Sequence, residues 1–143
     1  MSILKPFVLS VLMGIALVGC NVSRTSSSLT ELKLENLLRM SLDDDFIPDR
    51  EIVVSYVEIP PNVTMDRHWH PGEEFHYYLE GEVTIVIDGE RSIIGTPGTV
   101  GHVPFKRMHT AITGDQGARI LVFRVHTAGM PVRYLETGAA ADE

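Results

Sequence analysis

The stretch that decides the fold is His68-Trp69-His70-Pro71-Gly72-Glu73-Glu74-Phe75-His76-Tyr77-Tyr78-Leu79-Glu80-Gly81. His68 and His70 are one residue apart, so on a strand both imidazoles leave the same face. Glu74 lies at a further even offset, where an extended run resumes after a bend at Pro71-Gly72. Two imidazole donors and a carboxylate on one inward surface form a set that borderline divalent metals accept. His76 and Tyr78 occupy the next even positions and share the face of Glu74. Glu73 and Trp69 point the other way, to solvent and to packing respectively.

On either side the chain reads as short strands. Glu51 to Ile59 (EIVVSYVEI) is rich in β-branched residues. Pro60-Pro61-Asn62 turns the chain, with Asn62 at a site where φ is expected to be positive. Glu74 to Glu80 is a strand that Gly81 breaks, and Val83 to Ile87 runs into a hairpin turn at Asp88-Gly89. Arg91 to Ile94 returns, and Thr99 to Val103 is short and extended. His109 to Thr113 and Arg119 to His126 (RILVFRVH) are strands separated by a turn at Gly114 to Gly117. Met130 to Leu135 closes an edge, and residues 138–143 form a frayed tail. Ahead of all these, Ser28 to Glu31 has capping-box spacing, and the leucines that follow mix helical and strand periods. A short helix leading into an edge strand near Leu37 to Leu42 is expected there. Frequent turn signals between short strands indicate an all-β barrel or sandwich.

Two spaced motifs then meet a known pattern. The first is Asn62, five residues, His68, one residue, His70, three residues, Glu74, six residues, Gly81. The second is Gly98, five residues, Pro104, one residue, Lys106, two residues, His109, three residues, Thr113. In this order and spacing the chain resembles the cupins, single jelly-roll β-barrels of the RmlC-like type. Asn62 and Lys106 stand where the pattern has Gly, and Thr113 where it has Asn. A left-handed backbone at Lys106 costs about 1 kcal/mol. None of the three departures removes an expected ligand.

The resemblance implies a barrel over residues 35–137, with His68, His70, Glu74 and His109 as ligands of a divalent metal: Fe, Mn, Zn, Ni or Cu. It also implies a small-molecule ligand and, by analogy, a homodimer that covers an edge strand. It does not give the reaction, because cupins include dioxygenases, isomerases, decarboxylases, lyases and non-catalytic binders. If the protein is an enzyme, His76 is the first candidate for proton transfer and Tyr78 the second; the plain alternative is that both pack the interior. A non-catalytic metal- or ligand-sensing protein is the competing reading. His102 reads as a rim residue, His126 has no evident partner, and Phe105, Met108 and Phe123 read as core.

The chain starts MSILKPFVLSVLMGIALVGC, with Lys5 ahead of an apolar run and Leu17-Val18-Gly19-Cys20 at its end. This resembles the lipobox of bacterial lipoproteins: residues 1–19 would be a signal, Cys20 a lipidated N-terminus and residues 20–34 a linker. Cys20 is the only cysteine, so no intramolecular disulfide forms. The resemblance implies a periplasm-facing protein held by acyl chains, with Asn21 favouring the outer membrane. Formal charge is −7, becoming −8 once Lys5 leaves with a signal, and no basic stripe suits nucleic acid.

Overall fold

The computed structural model describes residues 29–42 and 47–141. Cys20, the lipobox and Ser28 lie outside these residues. The described chain holds strands β1 (Lys33–Ser41), β2 (Arg50–Ile59), β3 (His68–Trp69), β4 (Gly72–Ile87), β5 (Ile93–Gly95), β6 (Val100–Val103), β7 (His109–Thr127), β8 (Arg133–Leu135) and β9 (Ala140–Ala141). Among the described residues there is no helix.

β7 is the hub, pairing antiparallel with β2, β3 and β4. β4 in turn pairs with β5 and β6, and β8 links β3 to β9. The sheet curls into one barrel whose interior is built by alternation. In the first half of β4 the even residues, Glu74, His76 and Tyr78, are buried, while Phe75, Tyr77 and Leu79 face out. Register shifts at Tyr78/Glu80 and Gly81/Val83 reverse the phase, and Val83, Ile85 and Ile87 become the inward set. Gly81, with φ of 72°, bends one long strand at this point rather than ending it. A Cβ there would overlap the Gly117 carbonyl on β7. The turn expected at Gly114 to Gly117 likewise lies within the continuous β7.

The closed end of the barrel is apolar. Ile59, Val83, Ile85, Ala118 and Ile120 are almost fully buried, and each large aliphatic contributes about 1.5–3 kcal/mol. Asn62 and Lys106 do take left-handed backbones, with φ of 57° and 58°. Thr113, in the place of the expected Asn, donates its hydroxyl to the Pro60 carbonyl at 2.6 Å and accepts from Val63 N–H at 3.1 Å. It therefore ties down the loop that leads to the histidine pair.

Three expectations need correcting. Among the described residues no helix precedes β1: residues from Lys33 on pair with β2, and main-chain bonds to β2 override a weak helical pattern. Phe105 and Phe123 are not core but exposed: Phe105 lies in the turn after β6, and Phe123 is on the outward phase of β7. In the segment expected to fray, Ala140 and Ala141 pair with Tyr134 and Arg133.

Candidate metal centre

His68 and His109 are cross-strand partners, which sets their imidazoles side by side with ring centroids 4.4 Å apart. His70, just past β3, brings its ring to 4.9 Å from His68 and 5.3 Å from His109. One ring nitrogen of each residue lies within 4.8 Å of those of the other two, and all three side chains are buried.

The opposite ring edges decide the tautomer. His68 Nδ1–H donates to the Asp66 carbonyl at 2.7 Å, and His109 Nδ1–H to the Arg107 carbonyl at 2.9 Å. His70 Nδ1–H donates to the Val132 carbonyl at 2.6 Å. A carbonyl only accepts, so each Nδ1 carries the proton and each Nε2 presents a lone pair. This outer support is the arrangement that orients imidazole ligands around a metal. Val132 belongs to a clamped segment: Arg39 donates to the Met130 carbonyl at 3.0 Å, and His126 Nε2–H to the Pro131 carbonyl at 3.1 Å.

Glu74 lies beside the three rings. Its Oε2 is 2.8 Å from His70 Nε2 and its Oε1 is 3.4 Å from His109 Nε2. The 2.8 Å contact is nevertheless not a hydrogen bond, and His70 Nε2 is buried without a hydrogen-bond partner. A lone pair against a carboxylate is unfavourable unless a cation lies between. Two ligands bonded at about 2.1 Å on adjacent corners of a metal sit ~3.0 Å apart. The donor set therefore fits a divalent metal. Glu74 also receives Arg124 Nε–H at 2.7 Å and His76 Nε2–H at 2.6 Å. His76 Nδ1 accepts from the Tyr78 hydroxyl at 3.0 Å, completing a buried Tyr78–His76–Glu74 chain.

Electrostatics matches this geometry. Burial, helped by His109 and His70, pushes His68 down to about 3, so it is neutral at ordinary pH. Burial likewise lowers His70. Burial resists ionisation of Glu74, but the charges of His70, Arg124 and His76 outweigh it and hold the carboxyl well below its usual range. Of these only Arg124 is permanently charged. For His109 burial pulls downward, and the Glu74 carboxylate beside its ring reverses the net direction to upward. Burial and the Glu74 charge push Tyr78 up.

The four expected ligands and both candidate proton carriers are thus brought together. Trp69 stacks on Tyr134 at 4.4 Å, and His102 pairs at the rim with Glu73 at 2.7 Å. His126 does have partners: besides Pro131 it meets Glu51 at 3.2 Å, and it is fully buried. The sequence reading missed Arg124, Ser55 and Arg133. Arg124 and His126 fall on the inward phase of RILVFRVH with Ile120 and Val122, and polar residues in that phase were the available signal. Arg124 also bonds Ser55 Oγ at 3.0 Å.

Residues 55–124 match the family model described as Cupin domain. The structure is similar to that of DMSP lyase DddQ from Ruegeria pomeroyi DSS-3, with TM-score 0.62 and 19% identity over 76% of this chain and 53% of that one. It is similar to an RmlC-like cupin family protein from Methanocaldococcus jannaschii, with TM-score 0.56 and 13% identity over 68% and 82% of the two chains. An oxalate decarboxylase from Lactobacillus farciminis, solved as a formate complex, gives TM-score 0.56 and 22% identity over 73% and 31%. This chain thus spans about half the length of the Ruegeria lyase. At these identities the likeness carries the fold. No curated protein matches. Fold and match agree: the all-β barrel is of the cupin jelly-roll type, and its buried histidine cluster is suited to a divalent metal.

Proposed function

We propose that this protein holds one divalent metal with His68, His70, Glu74 and His109, and acts on a small molecule in the mouth of the barrel. The observation that carries the proposal is the convergence of three Nδ1-anchored imidazoles on a buried, unpartnered His70 Nε2 beside Glu74. The metal would supply Lewis-acid or redox chemistry. His76 accepts the Tyr78 hydroxyl at Nδ1, donates Nε2–H to Glu74 and lines the cavity, so this hydrogen-bonded path reaches a bound substrate at His76. That path favours an enzyme over a passive binder. A lyase-type reaction, the activity of the Ruegeria neighbour, is one case it suits.

Elemental analysis of the purified full-length chain tests the metal. About one equivalent is expected, with His109→Ala losing it while far-UV circular dichroism stays unchanged. A wild-type chain that takes up no metal on reconstitution refutes the proposal.

We further propose that Cys20 is lipidated and holds the barrel at a bacterial envelope, facing the periplasm. The apolar run ending in Leu17-Val18-Gly19-Cys20 supports this. Cys20→Ser abolishes incorporation of labelled fatty acid; labelling that persists in the variant refutes the anchor.

A further inference from the structure

The interior cavity, of about 40 Å³, runs from the metal centre to the apolar end of the barrel. That is room for roughly three waters or a compact ligand. Its charged lining is unbalanced. Arg124 and Arg133 both line it, and among the described residues Glu74 is the only carboxylate that does. Glu74 is already engaged by Arg124 and His76. Arg133, at the start of β8, has a half-buried side chain whose Nε is sealed from solvent and has no hydrogen-bond partner. A guanidinium Nε buried with no partner among the described residues is costly, and it is retained where an anion completes it. Lys106 and Arg107, by contrast, are exposed and belong to the outer surface.

We infer that Arg133 binds the acidic group of the ligand, and that the ligand is a small carboxylate with a short aliphatic body. The inference rests on the metal reading above for its full strength. Arg124 and Arg133 against Glu74 leave one net positive charge on the lining, and a divalent metal would make it three. Either count favours an anion. The planar fork of a guanidinium matches a carboxylate in two-point contact. Val57, Ile59, Ile120 and Val122 give the same cavity an apolar wall, which suits methylene groups.

Butyrate and its neutral isostere butyramide are the probes. The full-length chain loaded with Co(II) is titrated with each and followed by the visible cobalt spectrum. The metal-free chain is followed by fluorescence of Trp69, the single tryptophan, which stacks on Tyr134 next to Arg133. Butyrate is expected to bind at least about tenfold more tightly than butyramide in both forms. Arg133→Gln removes that preference with the unliganded cobalt spectrum unchanged, and Arg133→Lys restores part of it. Arg67→Gln, which removes a surface guanidinium paired with Asp88 and Glu136, leaves the preference intact. Equal binding of acid and amide by the wild-type chain overturns the inference, as does an undiminished preference in Arg133→Gln. A chain that takes up no Co(II) but still prefers butyrate refutes the metal reading alone. One that takes up Co(II) and shows no preference refutes the anion site alone.

Discussion

Arg124 ties the centre to the barrel wall. It is the Cα partner of Glu74 across β4 and β7, and both side chains are buried. Removing one member of a buried ion pair leaves an uncompensated charge, at a cost of ~3–5 kcal/mol. Arg124→Met is therefore expected to lower unfolding stability by that amount in urea titrations of the metal-free chain. Adding Glu74→Gln recovers part of the loss, because the stranded carboxylate is gone. If the double variant is no more stable than the single one, the pair is not what the substitution breaks. Alternation along RILVFRVH turns Arg124 inward, but nothing local to that strand says that Glu74 waits opposite.

At the scale of the element, β4 and its neighbours are shaped around Tyr78. Gly95 on β5 and Gly101 on β6 both lie against its ring, and a Cβ at either would overlap it. For Gly101 the overlap is with the hydroxyl oxygen, while the nearest ring carbons stand 3.3 Å away. Gly101→Ala is thus expected to cost about 1–3 kcal/mol by overpacking. Tyr78→Phe in the same chain should remove most of that penalty by deleting the clashing oxygen. Thermal unfolding of the two single variants and the double variant measures the coupling, and additive effects would falsify the contact. The even spacing of Glu74, His76 and Tyr78 made their shared face legible from sequence. The two glycines that receive the tyrosine are distant in the chain, so only the pairing of β4 with β5 and β6 identifies their role.

For the whole molecule, acid sensitivity follows from the buried neutral imidazoles. The folded pKa of His68 lies near 3, below its ordinary 6.5, so the unfolded chain binds the extra proton first. Stability from this residue is present above pH ~6.5 and is lost as pH falls toward 3, up to ~4 kcal/mol in all. Glu51, lowered chiefly by its bond to Arg39, and Glu74 have the same sign. His109 is raised, so its contribution is full at low pH and is lost as pH rises through its folded value. Urea unfolding of the metal-free chain across this range is expected to show stability rising with pH, and His68→Gln flattens the rise. Saturating Zn(II) steepens it, because ligand imidazoles bind metal only when deprotonated. A slope unaffected by His68→Gln would remove His68 as the source.

The resemblance to the cupin pattern added His109 and the left-handed Lys106; by itself the sequence determined the all-β class, the left-handed site at Asn62 and the shared faces of His68 with His70 and of Glu74 with His76 and Tyr78. Those features are local: period-two alternation, turn chemistry and fixed spacing survive without knowing which strands pair. Tertiary structure decided the rest. The fusion of the expected short strands into β4 and β7, the ion pair of Arg124 with Glu74, the Val132 carbonyl that orients His70 and the placing of Arg133 on the cavity wall join residues far apart in the chain. Only closure of the barrel, which buries charge and leaves each polar group to find a partner or do without, brings them together.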